Sequence, residues 1–292
     1  MTRLLICGSA VTDLIFEVPD FPTKPEKYTA EAARIVGGGC AGNASVAAAR
    51  LGADVTLVAR VARDLIGDMT LADLTAERVD TAHVLRSDHG QSAYSAIHIT
   101  PDGERMITAF RGRGLAETAD VSQLSADAVL VDTRWPAAAE TVLARAATLG
   151  VPGVLDAEAP VADALAFAAS HVAFSAQGLR AYAGVRDLRA ALATVAARLP
   201  GWVCVTDGAA GVTVAGNPPQ HFPAFPADVV DTLGAGDVWH GAFALALAEG
   251  RGEDGAIRFA SAAAALKCQR PGGRLGAPDR AETDAFLQRM TR

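Results

Sequence analysis

Four short apolar runs decide the fold: AVLVDT (128–133), VPGVLDA (151–157), HVAFS (171–175) and WVCVTD (202–207). Each has the length and composition of a strand buried on both faces. Between them lie alanine- and leucine-rich stretches at 136–149, 161–169 and 178–199, which are strong helix formers. Regular alternation of this kind predicts a parallel sheet covered by helices on both faces.

Working outward, RLLICG (3–8) reads as another buried strand, and Asp13 follows just beyond it, where open α/β sheets place ligand groups. NASVAAARL (43–51) predicts a helix stopped by Gly52, DVTLVA (54–59) a strand, and Ile66 to Glu77 a second helix. The segments at 14–36 and 88–111 break the alternation. The first holds LIFEV and KYTAEAARIV around a proline-rich corner. The second holds SAYSAIHIT and ERMITAF around Pro101-Asp102-Gly103, a hairpin signal. They predict a small accessory sheet placed to act as a lid on one domain spanning 1–292. Residues 211–225 read as a β-excursion, and two helices near 235–249 and 253–268 follow.

Bulk properties narrow the function classes. A net charge of −7 argues against a nucleic-acid partner. The N-terminus lacks a signal-peptide core, and no stretch reaches the roughly 18 apolar residues of a membrane span. Cys7, Cys40, Cys204 and Cys268 are scattered without CxxC spacing. The expectation is a cytoplasmic protein with reduced thiols and no membrane partner.

The chemistry is concentrated in VVDTLGAGDVWHG (229–241). Gly234-Ala235-Gly236 carries no bulky side chain and opens directly into a helix. Backbone N–H groups and the positive end of the helix dipole there form an anion site suited to a transferring phosphoryl group. Asp237 falls in the first helical turn. It can take a proton from an attacking hydroxyl, or it can simply complement the dipole; locally the two readings weigh the same. No Gly-Lys-Ser/Thr follows, so this is not a Walker loop.

DTLGAGDVWHG resembles the second signature of the PfkB/ribokinase family, Asp-Thr-x-Gly-Ala-Gly-Asp-x-x-x-Gly, at every fixed position. Gly37-Gly38-Gly39-Cys40-Ala41-Gly42-Asn43 is similar to the first signature, and Thr206-Asp207-Gly208-Ala209-Ala210-Gly211 to the family's nucleotide loop. The resemblance implies a ribokinase-like α/β three-layer sandwich with a mainly parallel central sheet and a small β-sheet lid. It implies ATP with Mg2+, a sugar acceptor, and a homodimer through the lid. Residue by residue, it implies Asp237 as base with Gly234, Ala235 and Gly236 as anion hole. Asp13, Gly38, Gly39 and Asn43 would hold the substrate, and Thr206, Gly208, Gly211 and Cys268 the nucleotide.

Ser175-Ala176-Gln177-Gly178 stands where the family has Asn-x-x-Glu, so the protein ligands of the metal stay unassigned; Asp156 and Glu158, at a strand end on the same edge, are expected only to support such ligands from behind. Asp132-Thr133-Arg134-Trp135 and the run from Lys267 to Arg274 are similar to the ketohexokinase and sulfofructose kinase branch. That similarity implies a ketohexose or an anionic derivative, with Lys27 and Arg134 facing the anion. A nucleoside kinase of the same family and a non-catalytic sugar- or ATP-binding descendant are the alternatives.

Overall fold

A computed structural model describes residues 1–290. Its strands, in chain order, are β1 (Arg3–Cys7), β2 (Val11–Glu17), β3 (Ala32–Gly38), β4 (Asp54–Val58), β5 (Arg60–Ala62), β6 (Leu85–Ser87), β7 (Tyr94–Ile99) and β8 (Arg105–Phe110). They continue with β9 (Ala128–Val131), β10 (Gly153–Ala157), β11 (His171–Ser175), β12 (Trp202–Thr206), β13 (Val212–Val214) and β14 (Gln220–Phe222). The helices are α1 (Cys40–Arg50), α2 (Leu65–Ala76), α3 (Pro136–Leu149), α4 (Asp163–Ala168), α5 (Ala176–Ala183), α6 (Leu188–Ala196), α7 (Ala235–Ala248), α8 (Gly252–Cys268) and α9 (Arg280–Met290).

The main sheet runs β14-β13-β12-β11-β10-β9-β1-β4, parallel from β12 to β4 and antiparallel only at the β12-β13-β14 edge. Alternate side chains of each strand feed opposite cores. In β1, Leu4 and Ile6 pack with α1, α7 and α8, while Leu5 and Cys7 pack with α3 and the helices that follow it. This is the helix–sheet–helix sandwich that the alternation predicts, with the strand carboxyl ends gathered along one edge.

A separate four-stranded sheet, β3-β2-β7-β8, pairs β2 with β7 in parallel and is otherwise antiparallel. Ser95, Ile97, Ile107 and Ala109 from this sheet face a cleft shared with the main sheet.

Two local readings change. The stretch 178–199 is two helices, because Gly184 ends α5 in a left-handed conformation and Asp187 caps α6 by accepting from the Ala190 amide. Residues 27–31 are not extended strand; β3 begins at Ala32. Among the described residues, no helix is long and apolar enough to cross a membrane.

Candidate active site

Asp237 sits in the first turn of α7. Gly234 caps that helix with φ 75°, a left-handed conformation that favours glycine. The Ala235 amide already donates to Thr232 O at 3.2 Å, and the first i→i−4 bond runs from Val238 to Gly234 O. By helix geometry the amides of Gly236 and Asp237 are left as the orphan donors of the turn. Of the residues expected to form the anion hole, Ala235 therefore has its amide engaged within the turn.

Asn43 reaches Asp237 because α1 and α7 pack closely. A Cβ on Gly241 would collide with Ala44 O, so the last glycine of the signature is a contact glycine between helices. Across that contact Asn43 Nδ2 donates to Asp237 Oδ2 at 2.7 Å, leaving Asn43 Oδ1 buried without a hydrogen-bond partner. The start of α1 is held by Ser9 and Asp132, neither of them among the expected site residues. Cys40 N donates to Ser9 Oγ (3.1 Å) and Ala41 N to Asp132 Oδ2 (3.2 Å), and Asp132 also accepts from Ser9 N and Oγ.

Burial pushes the Asp237 carboxyl up to about 7, with the nearby charge of Asp156 adding to the effect and the Asn43 hydrogen bond opposing it. That is a value suited to a base working near neutrality. Asp156, at the end of β10, is raised well above the usual carboxylate range by burial and then by Glu158 and Asp132. His240 is buried behind Asp237. Its Nδ1 lies 2.8 Å from Gly236 O and 3.6 Å from Asp156 Oδ1, and its Nε2 lies 3.3 Å from Ala173 O. Burial lowers its pKa, so it braces the turn from the core side as a neutral ring.

Cys40 Sγ and carboxylate oxygens of Asp156 and Asp237 lie within 4.8 Å of one another. Magnesium takes oxygen ligands and keeps waters, so the thiol contributes little to such a site. The carboxylates of Asp156 and Asp237 fit the ion: the charge of Asp156 adds to the raising of Asp237, and a divalent cation would relieve that repulsion. Ser175, where the family has the asparagine of Asn-x-x-Glu, is the N-cap of α5 and accepts from the Gly178 amide at 3.0 Å.

The loop before the anion turn is clamped by Asp231. Its Oδ1 accepts from Leu233 N at 2.8 Å. Its Oδ2 accepts from Gly272 N (2.9 Å) and Gly273 N (3.0 Å). Lys267, fully buried, donates to Asp231 O at 2.7 Å and pairs with Oδ2 at 3.2 Å. Burial works against the Asp231 charge, but these amides and the ammonium outweigh it and hold the carboxyl below its usual range. From β8, Arg105 donates to Thr232 Oγ1 at 2.9 Å, tying the small sheet to the same loop.

The cleft has a volume of about 500 Å³ and is lined by Asp237, Gly234, Asn43, Gly39 and Asp13, with Arg134 and Glu158 on its wall. Asp13 is 8% exposed, and burial raises its carboxyl, opposed by the Ser95 hydroxyl and the Arg274 guanidinium. Gly38 abuts the Asp13 carboxylate, where a Cβ would collide.

Not every predicted residue joins this cleft. Lys27 lies on an exposed segment outside the lining. Arg134 is on the wall, but its guanidinium is engaged by the Glu158 carboxylate and by Ala159 O at 2.9 Å. An anion clamp built from these two is not assembled. Thr206, Gly208 and Gly211 cluster at the β12–β13 turn, and Cys268 ends α8, all outside the lining of this cleft.

A family model described as pfkB family carbohydrate kinase matches residues 1–280. The Bacillus subtilis ribokinase is 30% identical over 295 residues, covering 98% of this chain and 100% of that protein. A solved Agrobacterium tumefaciens structure superposes with a TM-score of 0.92 at 36% identity, covering 100% of this chain and 99% of the other. The structure of Arabidopsis thaliana ribokinase complexed with ribose and ATP superposes with a TM-score of 0.89 at 25% identity, covering 99% of each chain. The ketohexokinase and sulfofructose kinase branch finds no support among these relatives. Of the residues that suggested it, Lys267 is spent on Asp231 and Arg274 is buried.

Proposed function

This chain belongs to the pfkB family of carbohydrate kinases and is an ATP-dependent sugar kinase; on that premise we propose that its acceptor is ribose and its catalytic base Asp237. The observation that carries the reading is one cleft lined by Asp237 at the phosphate end and by Asp13 beside Gly38 and Gly39 at the other.

Asp13 accepts hydrogen bonds from two sugar hydroxyls through its two carboxylate oxygens. Asn43 stands between, its free Oδ1 offering a further acceptor while its amide fixes Asp237. The reacting hydroxyl gives its proton to Asp237 as its oxygen bonds to the terminal phosphorus of ATP. The bond from that phosphorus to the bridging oxygen breaks, and ADP departs. Charge gathering on the transferred group is met by the amides of Gly236 and Asp237 and by the α7 dipole. Thr206, Gly208, Gly211 and Cys268 belong to the nucleotide side of this reading. Magnesium would be held at the Asp156 carboxylate, beside Asp237, and would supply charge neutralisation of the ATP phosphates.

The four-stranded sheet serves as the lid that excludes water from this cleft. Arg105 on β8 links it to the phosphate-end loop through Thr232. We extend the reading to a homodimer joined through that sheet, whose Ile35 is 60% exposed; a monomeric mass in solution would remove this part.

The test is ADP release with ATP, magnesium and a panel of ribose, fructose, sulfofructose and inosine. Ribose is expected to give the highest kcat/KM by at least about tenfold, since a site built around hydroxyl partners rejects analogues that leave them unpaired. Preference for inosine would replace the acceptor with a nucleoside, and preference for either ketose would reject ribose.

A further inference from the structure

Cys40 opens α1 on the wall of the cleft, and the chemistry above gives its thiol no part. Its Sγ and one carboxylate oxygen each of Asp156 and Asp237 lie within 4.8 Å of one another. Among the described residues this is the one group of three metal-ligating side chains whose ligand atoms converge so closely. The three come from separate elements: the start of α1, the end of β10 and the first turn of α7. Asp156 is buried, whereas Cys40 and Asp237 are half-buried and line the cleft, which leaves an entry path for an ion. The thiol also donates to Glu158 Oε2 at 3.6 Å, so it stands among acids.

The groups around these three resemble the outer layer of a metal centre, where ligating carboxylates are themselves held by hydrogen bonds. Asn43 Nδ2 donates to Asp237 Oδ2 at 2.7 Å and so fixes that carboxylate. Asn43 follows Cys40 by three residues, which places both on one face of α1. It is 8% exposed, yet its Oδ1 has no hydrogen-bond partner. A buried acceptor of this kind needs a donor, and a water carried on a metal ion at the cluster is one. The neighbouring basic groups leave the cluster unneutralised. Arg134, on the same wall, is spent on Glu158 and Ala159 O, and His240 behind the turn is neutral.

Magnesium, which seeks oxygen, uses only the carboxylates. A thiolate shifts the preference to zinc, which takes sulfur and oxygen together and is often bound by three protein ligands with one position left for water. We propose that Cys40, Asp156 and Asp237 form an inhibitory zinc site, in which the thiol lets zinc displace magnesium from the two carboxylates. As the zinc–sulfur bond forms, the S–H bond breaks and its proton passes to solvent. Zinc then occupies the Asp237 carboxylate that would take the acceptor's proton, and transfer stops until the ion leaves. The binding stands on the geometry of the cluster alone; the inhibition rests on Asp237 as the base.

The test uses the full chain in nucleotide-free buffer with excess magnesium. Calorimetry is expected to show one zinc ion bound to the wild type, and binding weakened about tenfold or more in Cys40→Ser. Cobalt(II), as a spectroscopic probe, should give a thiolate-to-cobalt charge-transfer band in the wild type and none in Cys40→Ser. The band should persist in Cys268→Ser, which removes the other half-buried thiol. A band that survives the loss of Cys40, or equal zinc affinity in wild type and Cys40→Ser, overturns the site. The kinetic arm takes the zinc concentration that halves each protein's own rate with ATP, magnesium and ribose. Cys40→Ser should need about tenfold more than the wild type, and a chelator should restore the wild-type rate. Zinc bound at Cys40 with an unchanged rate overturns the inhibitory role. If the wild type leaves ribose unphosphorylated, the acceptor assignment fails while calorimetry and the cobalt band still decide the site. If Cys40→Ser does not fold, Cys40→Ala takes its place in every arm.

Discussion

Asp13 and Asp237 are both carboxylates in the wall of one cleft, and burial raises both, yet their surroundings differ in kind. Asp237 is surrounded by other acids, Asp156 and Glu158, and by a neutral His240, with Asn43 as its hydrogen-bond donor. Asp13 has the Ser95 hydroxyl beside it, with the Arg274 charge within electrostatic reach. At Asp237 a neighbouring acid adds to the effect of burial, whereas at Asp13 a hydroxyl and a guanidinium charge partly offset burial and favour the charged, hydrogen-bond-accepting form. The contrast assigns proton transfer to one end of the cleft and binding to the other.

The largest effect should separate the two ends at once. Asp237→Asn is expected to lower kcat by about 10³-fold with ribose binding, read by calorimetry, changed by less than about threefold. Asp13→Asn should do the reverse, weakening ribose binding by about 10²-fold through loss of charged hydrogen bonds while ATP binding is unchanged. A loss of binding in the first variant, or of kcat alone in the second, would exchange the roles.

Smaller effects sharpen the comparison. Lys267→Met leaves Asp231 without its ammonium, so the loop before the anion turn loosens; kcat should fall by about tenfold, on the order of one buried charged contact. Stability carries the sign of the Asp237 environment. Its folded pKa of about 7 lies above the ordinary 3.8, so its contribution is fully present below about pH 4 and is lost as pH rises through 7. Asp237→Asn should therefore melt a few °C higher than wild type at pH 8 and show no gain at pH 4, measured by calorimetry. The smallest change is expected at Arg134→Ala. Its guanidinium is already engaged by Glu158 and Ala159 O, so KM for neutral ribose should move by less than about threefold.

How much of this was legible in the sequence follows the range of the interactions. The runs at 128–133, 151–157, 171–175 and 202–207 carry their own strand signal, and the sheet follows from their alternation with helices. Asp237 and Gly234 were legible because a turn and the helix it opens are contiguous in the chain. The partners that shape the site are not. Asp132 caps α1 from 91 residues away, Asn43 meets Asp237 across 194, and Lys267 reaches Asp231 from the end of another helix. The same limit applies to Lys27, exposed outside the lining, and to Arg134, which lines the cleft but is paired with Glu158. Charge alone cannot tell a side chain that faces the cleft from one that is exposed elsewhere or already paired. Arg274 was visible only as one residue in a basic-looking run; that it is buried depends on Gly37, whose missing side chain leaves room for it.

The central claim is that Asp237, its carboxyl raised to about 7 by burial and then by the charge of Asp156, is the base for phosphoryl transfer. Its most direct test is the pH dependence of kcat/KM for ribose in wild type and in Asn43→Ala. The account predicts a rate that rises with pH through an apparent pKa near 7 in the wild type. It predicts a limb displaced to higher pH in the variant, where the hydrogen bond favouring the carboxylate is gone. A flat profile from pH 5 to 9, or a limb that the loss of Asn43 leaves in place, would contradict it.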